Sequence, residues 1–262
     1  MALTTIPVEL VTLDDGVTIS TADNDAQLIL VSTDADANIA PLMQFYRNSS
    51  SPADNDQTGR IEFKGRNDNS QDVNYATIVS QILDASDGSE DGRFAINTMV
   101  AGTSQSRIDI RASETVINNE SIDVDFRVES DANANMFFVD AGNSAIGVGT
   151  TPNSGWSGAS TSGRVPIQIG AGSISGRLND NYTEFSNNCY ASGTGNDPQW
   201  SGLTRYAKQQ IEFDATGDII FKNAATVDQS TFDSSPNFSF VDRVTFKNDG
   251  QVNVASSFIA MG

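Results

Sequence analysis

Residues 136–152 read Met136-Phe137-Phe138-Val139-Asp140-Ala141-Gly142-Asn143-Ser144-Ala145-Ile146-Gly147-Val148-Gly149-Thr150-Thr151-Pro152. An apolar run breaks at Asp140-Ala141-Gly142-Asn143 and resumes at Ile146 and Val148 with glycines between and after them. It then stops at two threonines and a proline. That punctuation is a short β-hairpin followed by a linker. Within the hairpin, Phe138, Ile146 and Val148 are the residues expected to be buried.

The same outline returns twice downstream. Ile211 and Phe213 precede Asp214-Ala215-Thr216-Gly217, and 219–221 follow; Val244 and Phe246 precede Lys247-Asn248-Asp249-Gly250, and Val252 and Val254 follow. An aromatic-bearing strand, a turn ending in glycine and a second short strand form one structural idea reused without a strict repeat. Upstream, Ile61 and Phe63 alternate with Glu62 and Lys64, and Ile108 and Ile110 alternate with Asp109 and Arg111, the period of strands with one buried face. Residues 75–83 fit both a helical stripe and a strand face, and their threonine and β-branched content favours a strand. Further short strands are expected at 8–13, 17–19 and 28–31, around Asp14-Asp15-Gly16 and other polar turns.

After the central hairpin, 153–163 is nearly all Ser, Gly, Thr and Ala around Trp156 and reads as a linker or long loop. Val165, Ile167 and Ile169 form a strand in which Pro166 points to an edge or outward position. Residues 172–203 are the least regular. The chain then divides into an N-terminal attachment segment (1–40), a β-domain (41–118), a central hairpin module (119–152), a Gly/Ser/Asn-rich linker and loop region (153–205) and a C-terminal β-hairpin module (206–262). The expected fold is all-β, built of short antiparallel strands and hairpin modules.

Composition says how such strands find a core. Only 38% of the 262 residues are hydrophobic and the mean hydropathy is −0.29, low for a compact domain of this length. Thin apolar faces completed by other copies, in an elongated homotrimer, reconcile that with the clear alternation. Thirty-four acidic residues against fifteen basic leave a net charge of −19, which argues against nucleic acid and against an anionic membrane as partners. No apolar run approaches the roughly 18 residues of a membrane span, so no membrane insertion is expected, and residues 1–13 lack the basic start of a signal peptide.

The chain has no histidine and one cysteine, Cys189. The usual general base, the usual zinc ligand and any intrachain disulfide go with them. Asp54, Asp56 and Thr58 followed by Gly59 begin like a calcium loop, but Gly65 stands where the bidentate glutamate belongs, so polar turns explain these acids. A hydrolytic carboxylate pair cannot be located, since its members would converge only in the fold. No catalytic, metal or cofactor residues are assigned, and the protein reads as non-enzymatic. Trp156, Tyr182, Tyr190, Trp200 and Tyr206 lie in or beside polar loops, where they either hold sugar rings or fill interfaces between chains. The acids before Arg47, with Asp14, Asp15, Asp23 and Asp25 foremost, have no Lys or Arg in their own segment and are either a solvated face or a docking end for a basic partner.

Residues 125–152 resemble a hairpin module, ending in a Gly-Ile-Gly-Thr-Thr-like signature, of tail-fibre and related fibre proteins of marine bacteriophages. Val148 replaces the usual isoleucine. Gly59-Arg60-Ile61-Glu62-Phe63, Tyr75-Ala76-Thr77-Ile78 and Asp87-Gly88-Ser89-Glu90-Asp91-Gly92-Arg93 resemble the same family, so the likeness covers 42–152. It implies a virion structural protein, a tail fibre or fibre segment supporting host attachment. Such a protein is made in the host cytoplasm and exposed on the released particle, and the end at Met261-Gly262, with neither cap nor charged tail, suggests one cut from a longer product. Its partners would be two further copies, tail or adaptor proteins met by the N-terminal end, and a host surface glycan. The alternative is a carbohydrate-binding or polysaccharide-degrading tailspike-like module on a trimeric β-scaffold.

Overall fold

The computed structural model describes residues 16–156, 164–177, 181–192, 199–202, 208–224, 237–238 and 240–255, with 190–192, 199–202 and 237–238 described by backbone alone. Every regular element among them is a strand, as the alternation predicts. In chain order these are β1(Gln57–Arg66), β2(Asp72–Asp84), β3(Asp91–Val100), β4(Thr103–Ile110), β5(Thr115–Ile117), β6(Phe126–Val128), β7(Phe137–Asp140), β8(Ala145–Val148), β9(Arg164–Ile169), β10(Gly172–Arg177), β11(Thr183–Asn187), β12(Cys189–Ser192), β13(Gln199–Gly202), β14(Lys208–Phe213), β15(Ile219–Ala224), β16(Asn237–Phe238), β17(Val241–Phe246) and β18(Val252–Val254).

β1 to β5 form an antiparallel meander. Its tight β3–β4 turn places both Ala101 and Gly102 at positive φ, the geometry that matches the twist of a two-residue hairpin. The ambiguous stretch 75–83 lies inside β2, where ladders on both sides decide for the strand. A ten-stranded sheet runs in the order β18-β17-β15-β14-β11-β10-β9-β8-β7-β6, and β12, β13 and β16 make a third, small sheet. All pairings are antiparallel except β8 with β9. The segments 119–152, 153–205 and 206–262 thus contribute strands to one sheet.

Four local expectations need correction. Residues 17–19 and 28–31 form no strand, and no described strand lies beside them. Their surroundings are held by bonds two residues apart, such as Asp25 N–H to Asp23 Oδ1 and Asn38 N–H to Asp36 Oδ1. Residues 8–13 lie outside the described residues. Pro166 sits in an interior strand and is fully buried; it is tolerated because the ladder to β8 begins only at Ile167, so its missing N–H is not needed there. The irregular-looking stretch 172–203 supplies β10 to β13, since serine and glycine occupy positions that hydrophobic periodicity would have needed filled.

The hairpin also divides differently. Phe138 is buried, but Ile146 and Val148 share the opposite face with Phe137 and Val139 and are half-buried. Two of its glycines have definite jobs. Gly149 takes φ +71, and a Cβ on Gly147 would collide with the Thr150 carbonyl and the Pro152 ring. The chain therefore folds back over β8 and continues as a turn, in which Asn153 accepts from the Trp156 N–H, across the same side of β9. The described start of the linker or long loop, 153–156, thus covers part of the sheet.

Candidate functional site: an apolar face across ten strands

Register places one apolar residue of every strand in line across the ten-stranded sheet. The row is Phe126, Val139, Ile146, Ile167, Ile174, Phe185, Ile211, Phe221, Val244 and Val254. On one side of it lies a second row, Val128, Phe137, Val148, Ile169, Gly172, Asn187, Gln209, Asn223 and Val241. On the other side lies a third, Val165, Gly176, Thr183, Phe213, Ile219, Phe246 and Val252. No position in the three rows is charged. Edge-on ring pairs tie the rows together: Phe126 with Phe137, Phe185 with Phe213 and Phe221 with Phe246, at centroid distances of 6.4, 5.9 and 6.0 Å.

This front face is the more open one. Phe185 is 44% exposed, Ile169 51% and Val254 47%. Directly behind, successive residues of the same strands are polar and buried: Arg164, Gln168, Ser173, Ser175, Glu184, Ser186, Lys208 and Gln210. The Arg164 guanidinium donates to Glu184 Oε2 at 2.8 Å, and the Ser175 hydroxyl donates to the same oxygen at 2.9 Å. Burial pushes both the Arg164 and the Lys208 ionisation below their ordinary values. Trp156 closes part of this back, its indole N–H donating to Gln168 Oε1 at 3.0 Å. Cys189 is fully buried, and burial pushes its thiol up to about 12, so it stays a neutral thiol at pH 7.

The five-stranded sheet repeats the pattern with five isoleucines in line: Ile61, Ile78, Ile96, Ile108 and Ile117, one from each strand. Phe45, from the segment before β1, lies over Gly59 at one end of that face, where a Cβ would meet its side chain. Behind, Asp109 is fully buried and accepts from Arg93 at 2.7 and 2.9 Å and from Arg111 at 2.9 Å. The Arg93 bonds, and then those of Arg111, hold its carboxyl down to about 2.

Among the described residues, those singled out in the sequence do not converge on one site. Trp156 is buried, and Tyr182 is half-buried with the Arg177 guanidinium 5.0 Å from its ring centroid. Tyr190 lies on β12 and Trp200 on β13, in positions of opposite parity: Tyr190 pairs with Ser201, and Trp200 with Ala191 and Phe238. Tyr206, Asp14 and Asp15 lie outside the described residues. Asp23 and Asp25 are exposed, and the Thr21 hydroxyl and the Asp25 N–H hold the Asp23 carboxyl below its usual range. Asp54 and Asp56 fix turns instead of converging, accepting from the Ala85 and Ala53 N–H groups. Among the described residues, no group of three or more metal-ligating acids or thiols comes together.

No protein-family model, curated protein or solved structure matches the chain. Sequence reasoning found every strand of the front except β10, β11 and the short β6, but not the row itself, which exists only through cross-strand register. Its signal is the recurrence of one Ile, Val or Phe in each strand.

Proposed function

We propose that the protein is a non-enzymatic structural segment of a phage tail fibre, a homotrimer whose copies meet through these apolar front faces. The observation that carries the proposal is the uncharged, half-exposed row crossing all ten strands. A one-layer sheet must cover its apolar side, and among the described strands contacts run mainly between hydrogen-bonded neighbours, with β12 beside β10 as the main crossing. Ten strands about 4.8 Å apart and three rows about 7 Å apart give a patch on the order of 800 Å² per copy, the size at which stable association begins. Another copy fits because no position of the three rows is a charged residue, so chains of net charge −19 can meet there without opposing like charges; the Arg243 guanidinium reaches the front only beside Asn223.

Three-fold symmetry, the elongated fibre, tail or adaptor partners at the N-terminal end, a host glycan at the far end and a place on the virion rest on the resemblance of 42–152 to marine phage fibre proteins. A glycan-binding or polysaccharide-degrading module is the less supported alternative, because Trp156 is buried and Tyr182 is covered by Arg177. Native mass spectrometry tests the assembly: three times 27.9 kDa is expected for the full chain, and a folded monomer for a Phe185→Asp, Phe221→Asp variant. A folded wild-type monomer at micromolar concentration overturns the proposal.

A further inference from the structure

The front face carries one polar island. Asn187, Gln209 and Asn223 stand side by side on β11, β14 and β15 in the row next to the central one. Val128, Phe137, Val148 and Ile169 continue that row on one side and Val241 on the other. All three amides are exposed. Asn187 Nδ2 donates to Gln209 Oε1 at 3.1 Å, and Arg243 Nε donates to Asn223 Oδ1 at 2.6 Å. Asn187 Oδ1, Gln209 Nε2 and Asn223 Nδ2 keep bonding capacity that no described residue uses. Asn187 and Gln209 border a groove of about 410 Å³ whose walls include Phe185, Ile211 and Phe221.

We propose that this amide trio and its groove form the register lock of the contact between copies, the occupant being the front face of a second copy. The inference rests on the self-assembly proposed above. A purely apolar stripe specifies its partner's position weakly, because a slip by one strand, about 4.8 Å, exchanges one Ile, Val or Phe for another. An amide shut into such a contact without a bond weakens it, by roughly tenfold or more in the association constant per group. Alignments that pair the amides are therefore selected over those that bury them against Val or Phe, as a single polar residue sets register and copy number in an apolar seam. The chemistry of the island fits a contact better than a solvated surface. In a chain with 34 acids, three adjacent polar positions carry no charge.

The test compares the full-length wild type with an Asn187→Val, Gln209→Val, Asn223→Val variant by native mass spectrometry and urea unfolding. The wild type is expected at one mass. The variant should remain assembled, with a urea midpoint equal or higher, but spread over more than one oligomeric state. A single mass equal to the wild type overturns the lock. Should the variant precipitate, Gln209→Glu decides: its association at pH 7 should weaken by about tenfold or more and recover near pH 4 as the carboxyl is protonated. Assembly as tight as the wild type at pH 7 overturns the lock. A monomeric wild type would instead sink the self-assembly reading itself, which distinguishes the two failures.

Discussion

The five-stranded and ten-stranded sheets share a front and differ at the back. Each front is crossed by a row of Ile, Val or Phe, and each leaves that row half-exposed. Behind the smaller sheet a single carboxylate, Asp109, is fully buried, and its two arginines reach solvent, with side chains 22% and 38% exposed. Behind the larger sheet both members of Arg164–Glu184 are sealed in, at 0% and 1%. A charge whose partner remains wet can be resolvated when the pair is broken; a charge sealed with its partner cannot. The back of the ten-stranded sheet therefore holds buried interactions that a single chain completes by itself, while both fronts stay half-exposed.

The largest expected effect tests this directly. Glu184→Ala strands the Arg164 guanidinium and should destabilise the fold by about 3–5 kcal/mol in urea unfolding, while Glu184→Gln, which keeps acceptor atoms, should lose less. Asp109→Asn should cost only about 1–3 kcal/mol, because Arg93 and Arg111 turn to water. Equal losses for Glu184→Ala and Asp109→Asn would erase the distinction between the two backs. Asp109 also sharpens the comparison through pH. Its folded ionisation, about 2, lies below the ordinary 3.8, so its contribution is complete above about pH 4 and is lost as pH falls through 2. Asp109→Asn should therefore flatten the fall in stability between pH 4 and 2, and an unchanged slope would mean that other carboxylates govern it. Next in size, Trp156→Phe removes the indole bond to Gln168 and should cost about 1 kcal/mol. A loss within error would mean that the start of the 153–163 stretch covers the sheet without fastening it.

The all-β class and most hairpins were legible because turn residues and period-two alternation are local signals. Gly147 shows why one boundary was not: its reason is the return of Thr150 and Pro152 over β8, a contact that only the folded chain makes. Ser173, Ser175 and Ser186 hid two strands, since their polar back looks like loop to hydrophobic periodicity. Apolar residues usually mark the buried side, and on that ground the sequence places Ile146 and Val148 there. Here the apolar side is the more open one, so apolarity alone does not tell which face a single chain buries. Of the aromatics in polar loops, Trp156 is packed against Gln168 and Tyr182 lies under Arg177, contacts that spacing in the sequence does not show.

The smallest expected effect lies at one end of the ten-stranded sheet, where two hairpin turns are latched. Asp218 Oδ2 accepts from the Lys247 ammonium at 2.6 Å, and Asp218 Oδ1 accepts from the Asn248 N–H at 3.0 Å. The Lys247 bond, followed by that of Asn248, holds the Asp218 carboxyl below its ordinary value. Yet the Lys247 side chain is 38% exposed, so salt screens the pair and water replaces it readily. Lys247→Met should therefore change stability by less than about 1 kcal/mol, and less still at high salt, because the Asn248 bond keeps the turns together. It should leave the native mass unchanged, since Lys247 belongs to no row of the front. A loss above about 2 kcal/mol, or a change in oligomeric state, would mean that β17 and β18 depend on the latch for their place in the sheet. The front row would then end at β15, and the face proposed to meet a second copy would be two strands narrower.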